Sequence, residues 1–174
     1  MLATRYQETA VAGLTPPDLA AYHAAEKLRA ALGLRPAAPA LPVLAADTVV
    51  DVDGRALGKP RSGEEARSML ERLSGREHLV HTAFALAAPG ADQWTQERAT
   101  TRVRFYRLAA EEIAEYVATG EPFDKAGAYG IQGRAASLIE SIDGDFYTVM
   151  GLPLARVIRA LRRLGFALPK ANSP

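Results

Sequence analysis

The stretch AADTVVDVDGRALGKP, from Ala45 to Pro60, combines an apolar run of strand length with three aspartates and a lysine. Its first part is typical of a buried strand, and Asp53-Gly54 predicts a turn after which the chain folds back through RALG. An aspartate inside an apolar strand is costly to bury unless it is paired or binds a metal. Asp47 is therefore a stronger functional candidate than the aspartates at the turn, although an aspartate that caps a neighbouring loop would explain it as well.

The composition is that of an ordinary globular protein. The 174 residues suit one domain with a buried core, and 48% are hydrophobic and 24% charged. A net charge of +1 provides no strong field for nucleic acid or an anionic membrane. The chain has no cysteine, which excludes disulfides and thiolate metal sites. It also has no apolar run of the ~20 residues that span a bilayer. We therefore expect a cytoplasmic protein with neither a nucleic-acid nor a membrane partner.

Helices are predicted on both sides of this stretch. Thr15 as N-cap and Pro16 at the first helical position indicate a helix that ends at Gly33. Ser62 followed by Glu65 forms a capping box for a second helix. Further on, EEIAEYVATG predicts a short helix, and Pro153 precedes the amphipathic segment LARVIRALRRLG.

Strand patterns alternate with these helices. EHLVHTAFALAA and QWTQERATTRVRFYRL predict two strands, and ASLIESIDGDFYTVMG predicts a hairpin about Asp143-Gly144. Some strands alternate with helices and others follow one another as hairpins. This order of elements predicts an α/β fold, a single domain with a mixed sheet flanked by helices. We expect this domain to cover residues 1–168 and residues 169–174 to form a flexible tail.

Two enzyme classes are compatible with the aspartates. VVDVDGRAL resembles the D-x-D-G-T-L box of haloacid-dehalogenase-type phosphatases, in which Asp51 would be the nucleophile and Asp53 an acid/base. Arg55 stands where that box has threonine, and no convincing acidic pair follows. A simple Asp-Gly turn explains the same residues.

The wider pattern is more specific. ADTVV is followed in order by LGKP, LSGR, V-x-T-x-x-A-L, DKAGAYGIQG and GLPL, over about residues 7 to 166. This series resembles the Maf family of nucleoside triphosphate pyrophosphatases. The resemblance implies an elongated, twisted sheet like that of inosine triphosphate pyrophosphatases. It also implies hydrolysis of a nucleoside triphosphate to the monophosphate and pyrophosphate with a divalent cation, Mg²⁺ or Mn²⁺. A homodimer is a candidate assembly.

The resemblance also implies catalytic and metal-binding residues. Asp47 matches the family's catalytic aspartate, and Lys59 matches the lysine of its L-G-K-P block. Glu8, Asp47 and Asp124 match acidic residues that would hold the metal. Gln7 stands where the family has an aspartate beside the residue matched by Glu8.

The implied substrate-binding residues are Lys27, Thr48, Lys125, Gly130 and Gln132. Each has a plainer explanation: Lys27 as a solvated helix lysine, Lys125 as half of a surface ion pair with its neighbour, and Gly130 as a turn residue. In the dTTP/UTP branch of the family, threonine follows the catalytic aspartate and the Gly-rich loop contains glutamine. A glutamine amide can pair with N3–H and a carbonyl of thymine or uracil, so a pyrimidine base is expected.

One part of the family pattern does not occur in these residues. The family opens with a strand and an S-x-S-P-R-R loop that binds the triphosphate, ahead of the position matched by Glu8. Either the natural protein starts upstream of Met1, which is our hypothesis, or this chain is a shortened product. The functional hypotheses are a pyrophosphatase and a non-catalytic nucleotide-binding or division-linked regulatory protein.

Overall fold

The computed structural model describes residues 4–34, 41–91 and 93–166, so the predicted tail at 169–174 lies outside the described residues. These residues form a single α/β domain with one five-stranded sheet. Its helices and strands are α1 (Pro16–Gly33), β1 (Val43–Val52), β2 (Arg55–Leu57), α2 (Gly63–Leu73), β3 (Glu77–Ala87), β4 (Trp94–Phe105), α3 (Ala110–Ala118), β5 (Ile139–Asp143), α4 (Phe146–Met150) and α5 (Leu154–Arg163). Short 3-10 helices lie between α3 and β5 at Glu121–Asp124, Ala126–Ala128 and Gly133–Leu138. Within these ranges no helix is long and apolar enough to cross a bilayer.

The strand order is β2-β1-β3-β4-β5, and each pair of neighbours is antiparallel. The predicted α/β class, with helices around one sheet, is confirmed. The expectation of a mixed sheet is wrong for the described strands. The strand–helix–strand unit β2-α2-β3 does bring two strands into the same direction, but β1 lies between them and pairs antiparallel with both.

The predicted helix starts are confirmed. α1 begins at Pro16, and α5 follows Pro153. α2 follows Ser62, whose Oγ accepts the backbone N–H of Glu65 at 3.1 Å. Only this half of the expected capping box forms, because the Glu65 carboxylate accepts the N–H of Arg61 at 2.7 Å instead.

The predicted hairpin about Asp143-Gly144 is wrong. β5 does end at Asp143, but the residues after the turn form helix α4 instead of a returning strand. The reason is a cap that competes with strand formation: Asp145 Oδ2 accepts the backbone N–H of Thr148 at 2.9 Å and its Oγ1–H at 2.8 Å.

The side chains of β1 alternate between two different cores. On one face, Val49 packs with Ala83 of β3 beneath Ala20 and Ala24 of α1. On the other face, Val50 belongs to the largest cluster, which includes buried residues of α2, α3 and β4. Neighbouring residues of β1 are therefore held on opposite sides of the sheet by independent packing.

β1 is paired unevenly along its length. β3 pairs with it over residues 43–51, whereas β2 pairs with it only over residues 50–52. Within the described ranges, residues 43–49 of β1 thus have a strand partner on one side only. At such a strand edge, side chains from both faces can border the same open space.

Gly127 holds the Gly-rich stretch, DKAGAYGIQG at residues 124–133, close to β1. Its φ is +67°, and an added Cβ would lie 2.9 Å from Cγ1 of Val50. Its N–H donates to the carbonyl of Gly58 at 3.0 Å, which ties the stretch to the connection after β2. Both the backbone conformation and the close approach require glycine here.

We expect Gly127→Ala to lower the free energy of unfolding by about 2–4 kcal/mol, because left-handed strain and overpacking against Val50 add together. Gly54→Ala is the matched control: its φ is +76°, but no atom lies within 4 Å of the added Cβ. The control should lose only the conformational part, ~1–2 kcal/mol. Urea unfolding measures both, and equal losses would contradict the packing argument.

Candidate active site

A cavity of about 390 Å³ lies beside the singly paired part of β1. Every residue predicted for the site lines it: Glu8, Lys27, Asp47, Thr48, Lys59, Asp124, Lys125, Gly130 and Gln132. They come from the segment before α1, from α1, from β1, from the connection after β2 and from the Gly-rich stretch. The fold therefore gathers residues that the sequence spreads over most of the chain, while their individual roles stay predictions.

Lys27 joins two carboxylates in this cavity. Its Nζ lies 2.6 Å from Oδ1 of Asp47 and 2.5 Å from Oε1 of Glu8. Lys27 follows Ala24 by one helical turn on the face of α1 that packs on the sheet, which places its side chain over β1. The other Glu8 oxygen lies 3.3 Å from Nζ of Lys59. Lys27 is thus an ion-pair partner in the site and not a solvated helix lysine.

Burial has the largest effect on the pKa of the Asp47 carboxyl. It raises the pKa of Asp47 to about 6, although the hydrogen bond and charge of Lys27 act in the opposite direction. Burial would also raise the pKa of Glu8, but Lys27 and Lys59 outweigh it and lower that pKa. Burial would lower the pKa of Lys27, and the two carboxylates reverse this and raise it. At neutral pH both carboxylates are ionised, and Asp47 is the one closest to accepting a proton.

The Gly-rich stretch forms another wall of the cavity. Nζ of Lys125 lies 2.5 Å from Oδ1 of Asp124, and this hydrogen bond lowers the pKa of the Asp124 carboxyl. The Asp124 side chain is 79% exposed, so the pair adds little to stability. A Cβ on Gly130 would lie 2.7 Å from Cδ of Lys125, so the absence of a side chain at Gly130 makes room for the lysine stem.

Thr48 and Gln132 border the cavity without taking part in its ion pairs. Thr48 lies on the opposite face of β1 from Asp47, and its Oγ1 is 2.8 Å from Oγ1 of Thr82. The Gln132 side chain is exposed and does not cap the 3-10 helix that follows it. Apolar side chains such as Val50 and Val80 lie on the same face as Thr48. The cavity therefore has a charged part around Asp47 and a neutral part around Thr48.

The acidic residues of the cavity provide a pair of carboxylates for a divalent cation, but not a complete set of protein ligands. Among the described residues, no group of three or more His, Cys, Asp or Glu side chains is placed to hold a metal, so Glu8, Asp47 and Asp124 do not form one cage. Asp47 and Glu8 nevertheless converge on a single cation, the Lys27 ammonium. Mg²⁺ is commonly held by one or two carboxylates together with substrate phosphates. The pair Asp47 and Glu8 fits a metal that binds in this way.

The two aspartates of the phosphatase alternative lie elsewhere. Asp51 is buried, with Oδ2 at 3.2 Å from Nε2 of His81, and it is not among the residues that line the cavity. Asp53 has a φ of +55° at the turn and forms a 2.6 Å ion pair with Arg76. The structure thus favours the turn and core roles for these aspartates over nucleophile and acid/base roles.

Sequence reasoning missed a buried pair behind the cavity. Tyr129 lines the cavity, and its hydroxyl lies 2.6 Å from Nε2 of His78. Burial lowers the pKa of His78 to about 4 and raises that of Tyr129, so both groups are neutral. Their positions in a strand and in a glycine-rich segment gave no sign of the pairing, which depends on how the segment packs on β3.

Comparison with known proteins identifies similar chains. Residues 1–164 match the family described as Maf-like protein. A dTTP/UTP pyrophosphatase of Thermus thermophilus is 56% identical over 124 residues, which cover 71% of this chain and 65% of the relative. This chain thus spans just under two thirds of that relative's length.

Two relatives align over more of the chain. A dTTP/UTP pyrophosphatase of Symbiobacterium thermophilum is 50% identical over 161 residues, covering 92% of this chain and 80% of the relative. One of Bacillus velezensis is 44% identical over 162 residues, covering 93% and 83%.

We expect the stability of the wild type relative to Asp47→Asn to rise as pH falls from about 7 to about 5. The native pKa of Asp47 is raised to about 6, above the ~3.9 of an unfolded aspartate, so the native state binds the proton more tightly in this window. Urea unfolding of both proteins at the two pH values measures the difference. A difference that falls with acidification would mean that pairing with Lys27 outweighs burial.

Proposed function

The chain belongs to the Maf family, and we propose that it hydrolyses nucleoside triphosphates to the monophosphate and pyrophosphate, with dTTP and UTP preferred. The names of the relatives, dTTP/UTP pyrophosphatases, support this proposal. The observation that carries it is the buried Asp47 carboxylate, paired with Lys27 in a cavity that Lys59 and Lys125 also line.

Asp47 is suited to act as general base. It accepts a proton from water while the water oxygen bonds to the α-phosphorus, and the bond from this phosphorus to the bridging oxygen of the β-phosphate breaks. Pyrophosphate then leaves with the electron pair of that bond. A base with a pKa of about 6 is ionised at neutral pH and still accepts a proton readily. Lys27 keeps the carboxylate ionised and fixes its orientation at 2.6 Å.

Two lysines, together with a cation held by acidic residues, would offset the negative charge of the triphosphate. Lys59 and Lys125 supply positive charge to the phosphate oxygens, where charge develops as the bond breaks. Asp47 and Glu8 would hold a divalent cation, Mg²⁺ or Mn²⁺, with Asp124 as a further candidate. When bound, such a cation supplies charge neutralisation at the phosphates.

Thr48 and Gln132 are the proposed contacts to the base. They border the neutral part of the cavity, where an uncharged ring would avoid the ion pairs around Asp47. The Gln132 amide carries a donor and an acceptor, which match N3–H and a carbonyl of thymine or uracil. The names of the relatives favour this enzyme over a non-catalytic regulatory protein. A homodimer and a cytoplasmic location stay predictions.

We expect Asp47→Asn to reduce pyrophosphate release from dTTP and UTP with Mg²⁺ by at least about 10²-fold, because the amide cannot accept the proton. Asp51→Asn is the matched control, since Asp51 is also a buried aspartate of β1 but pairs with His81. The control should retain activity within a few-fold. Loss of turnover in Asp51→Asn but not in Asp47→Asn would instead support the phosphatase alternative.

The pH profile of kcat/KM tests the role of Lys27. We expect the wild-type value to fall by half near pH 6, where Asp47 takes up a proton. Lys27→Met removes the group that opposes burial, so the midpoint should move to higher pH. Lys59→Met is the control: Lys59 contacts Glu8 and not Asp47, so its loss should lower the plateau of kcat/KM and leave the midpoint nearly unchanged. A midpoint that does not move in Lys27→Met would contradict this role.

A further inference from the structure

A row of hydrogen-bonded polar groups, three of them buried threonines, runs from β4 to the cavity. Oγ1 of Thr101 donates to the carbonyl of Asp145 and accepts its N–H, both at 2.9 Å. Asp145 in turn caps Thr148 at the start of α4. The carbonyl of Thr148 accepts the hydroxyl of Thr82 at 2.6 Å, and Oγ1 of Thr82 lies 2.8 Å from that of Thr48. The row therefore ends on a hydroxyl that borders the cavity.

The direction of each hydrogen bond in this row is fixed by the groups present. A carbonyl oxygen only accepts, and a threonine hydroxyl has one hydrogen. Thr82 donates that hydrogen to the carbonyl of Thr148, because otherwise the two oxygens would lie 2.6 Å apart with no hydrogen between them. Thr82 must then accept the hydrogen of Thr48. The Thr48 hydroxyl can therefore only accept hydrogen bonds from a group in the cavity.

The surroundings hold this arrangement in place. Thr82, Thr101 and Thr148 are fully buried, so water does not compete for their hydrogen bonds. Thr48 and Thr82 are directly opposite each other in the β1–β3 register. The Thr148 carbonyl cannot turn away, since Asp145 and Thr101 fix the first turn of α4.

We infer that Thr82 is a specificity-determining positioning residue, which makes Thr48 an acceptor and thereby selects uracil and thymine against cytosine. This inference rests on the proposed function, in which Thr48 and Gln132 contact the base. The ring nitrogen N3 carries a hydrogen in uracil and thymine and a bare lone pair in cytosine. An acceptor-only hydroxyl attracts the first and repels the second.

Gln132 cannot make this choice alone. Its amide exchanges donor and acceptor by a half-turn about its last side-chain bond, and it then matches cytosine as well as uracil. Its side chain is exposed, and the cap of the following helix does not fix it. The selection between the two pyrimidines must therefore come from a group whose proton is fixed, and Thr48 is that group.

The test compares wild type, Thr82→Val and Thr82→Ser in the full chain. The probes are the α,β-methylene analogues of UTP and CTP with Mg²⁺, whose binding by calorimetry does not depend on turnover. We expect wild type to prefer the uridine analogue by about tenfold or more. Thr82→Val should reduce this ratio to within about threefold, because Thr48 can then rotate and donate. Thr82→Ser keeps the hydroxyl and should keep the preference.

A double-mutant cycle separates this role from a general packing effect. Thr48→Val should lower the uridine preference like Thr82→Val, and the double variant should lose no more than either single variant, since both act through one hydroxyl. If Thr82→Val fails to unfold cooperatively, Thr48→Val alone decides: a retained preference overturns the inference. Equal weakening of both analogues in Thr82→Val, or equal loss in Thr82→Ser, also overturns it.

Turnover distinguishes failure of this inference from failure of the proposed function. If the uridine preference responds as expected but UTP yields no pyrophosphate, the inference is supported and the proposed hydrolysis is overturned. If wild type hydrolyses UTP but binds both analogues equally, hydrolysis is supported and the role of Thr82 is overturned.

Discussion

The site depends on the ammonium of Lys27, which lies between the carboxylates of Asp47 and Glu8. An ionised aspartate buried in a strand is unfavourable without such a partner. The partner can reach it because α1 packs on the sheet through alanines, Ala20 and Ala24, which let the helix approach closely. The same contact that fixes the helix thus also fixes the charge of the proposed base. Loss of Lys27 would leave two carboxylates facing each other with little compensation.

Much of the site could be predicted from the sequence because it follows from local patterns. Asp47 stands out as a charge within an apolar strand, and the blocks around Lys59 and Lys125 carry a family resemblance that places them. The fold brought these residues to one cavity. The helix starts at Pro16 and after Ser62 were predictable for a similar reason, since caps and prolines act over a single turn.

What could not be predicted depends on contacts between distant segments. The mixed sheet was expected because a strand, a helix and a strand follow one another, and nothing local shows that β1 lies between β2 and β3. The segment after Asp143 has the composition of a strand, yet a cap by Asp145 makes it a helix. In the sequence, Thr82 appears only as the threonine of the V-x-T-x-x-A-L block. Its partner Thr148 lies on α4, and only the packing of α4 against β3 shows what its hydroxyl does.

The alternation of β1 has a consequence for how such a protein can diversify. Asp47 and Thr48 are neighbours in the chain, but they lie on opposite faces of β1, beside Val49 and Val50, which pack into separate cores. A replacement beneath one of them disturbs packing that the other does not share. Selection for a new nucleobase can therefore act on the proposed base contact on one side of a single strand, while the proposed hydrolytic residues on the other side are inherited unchanged.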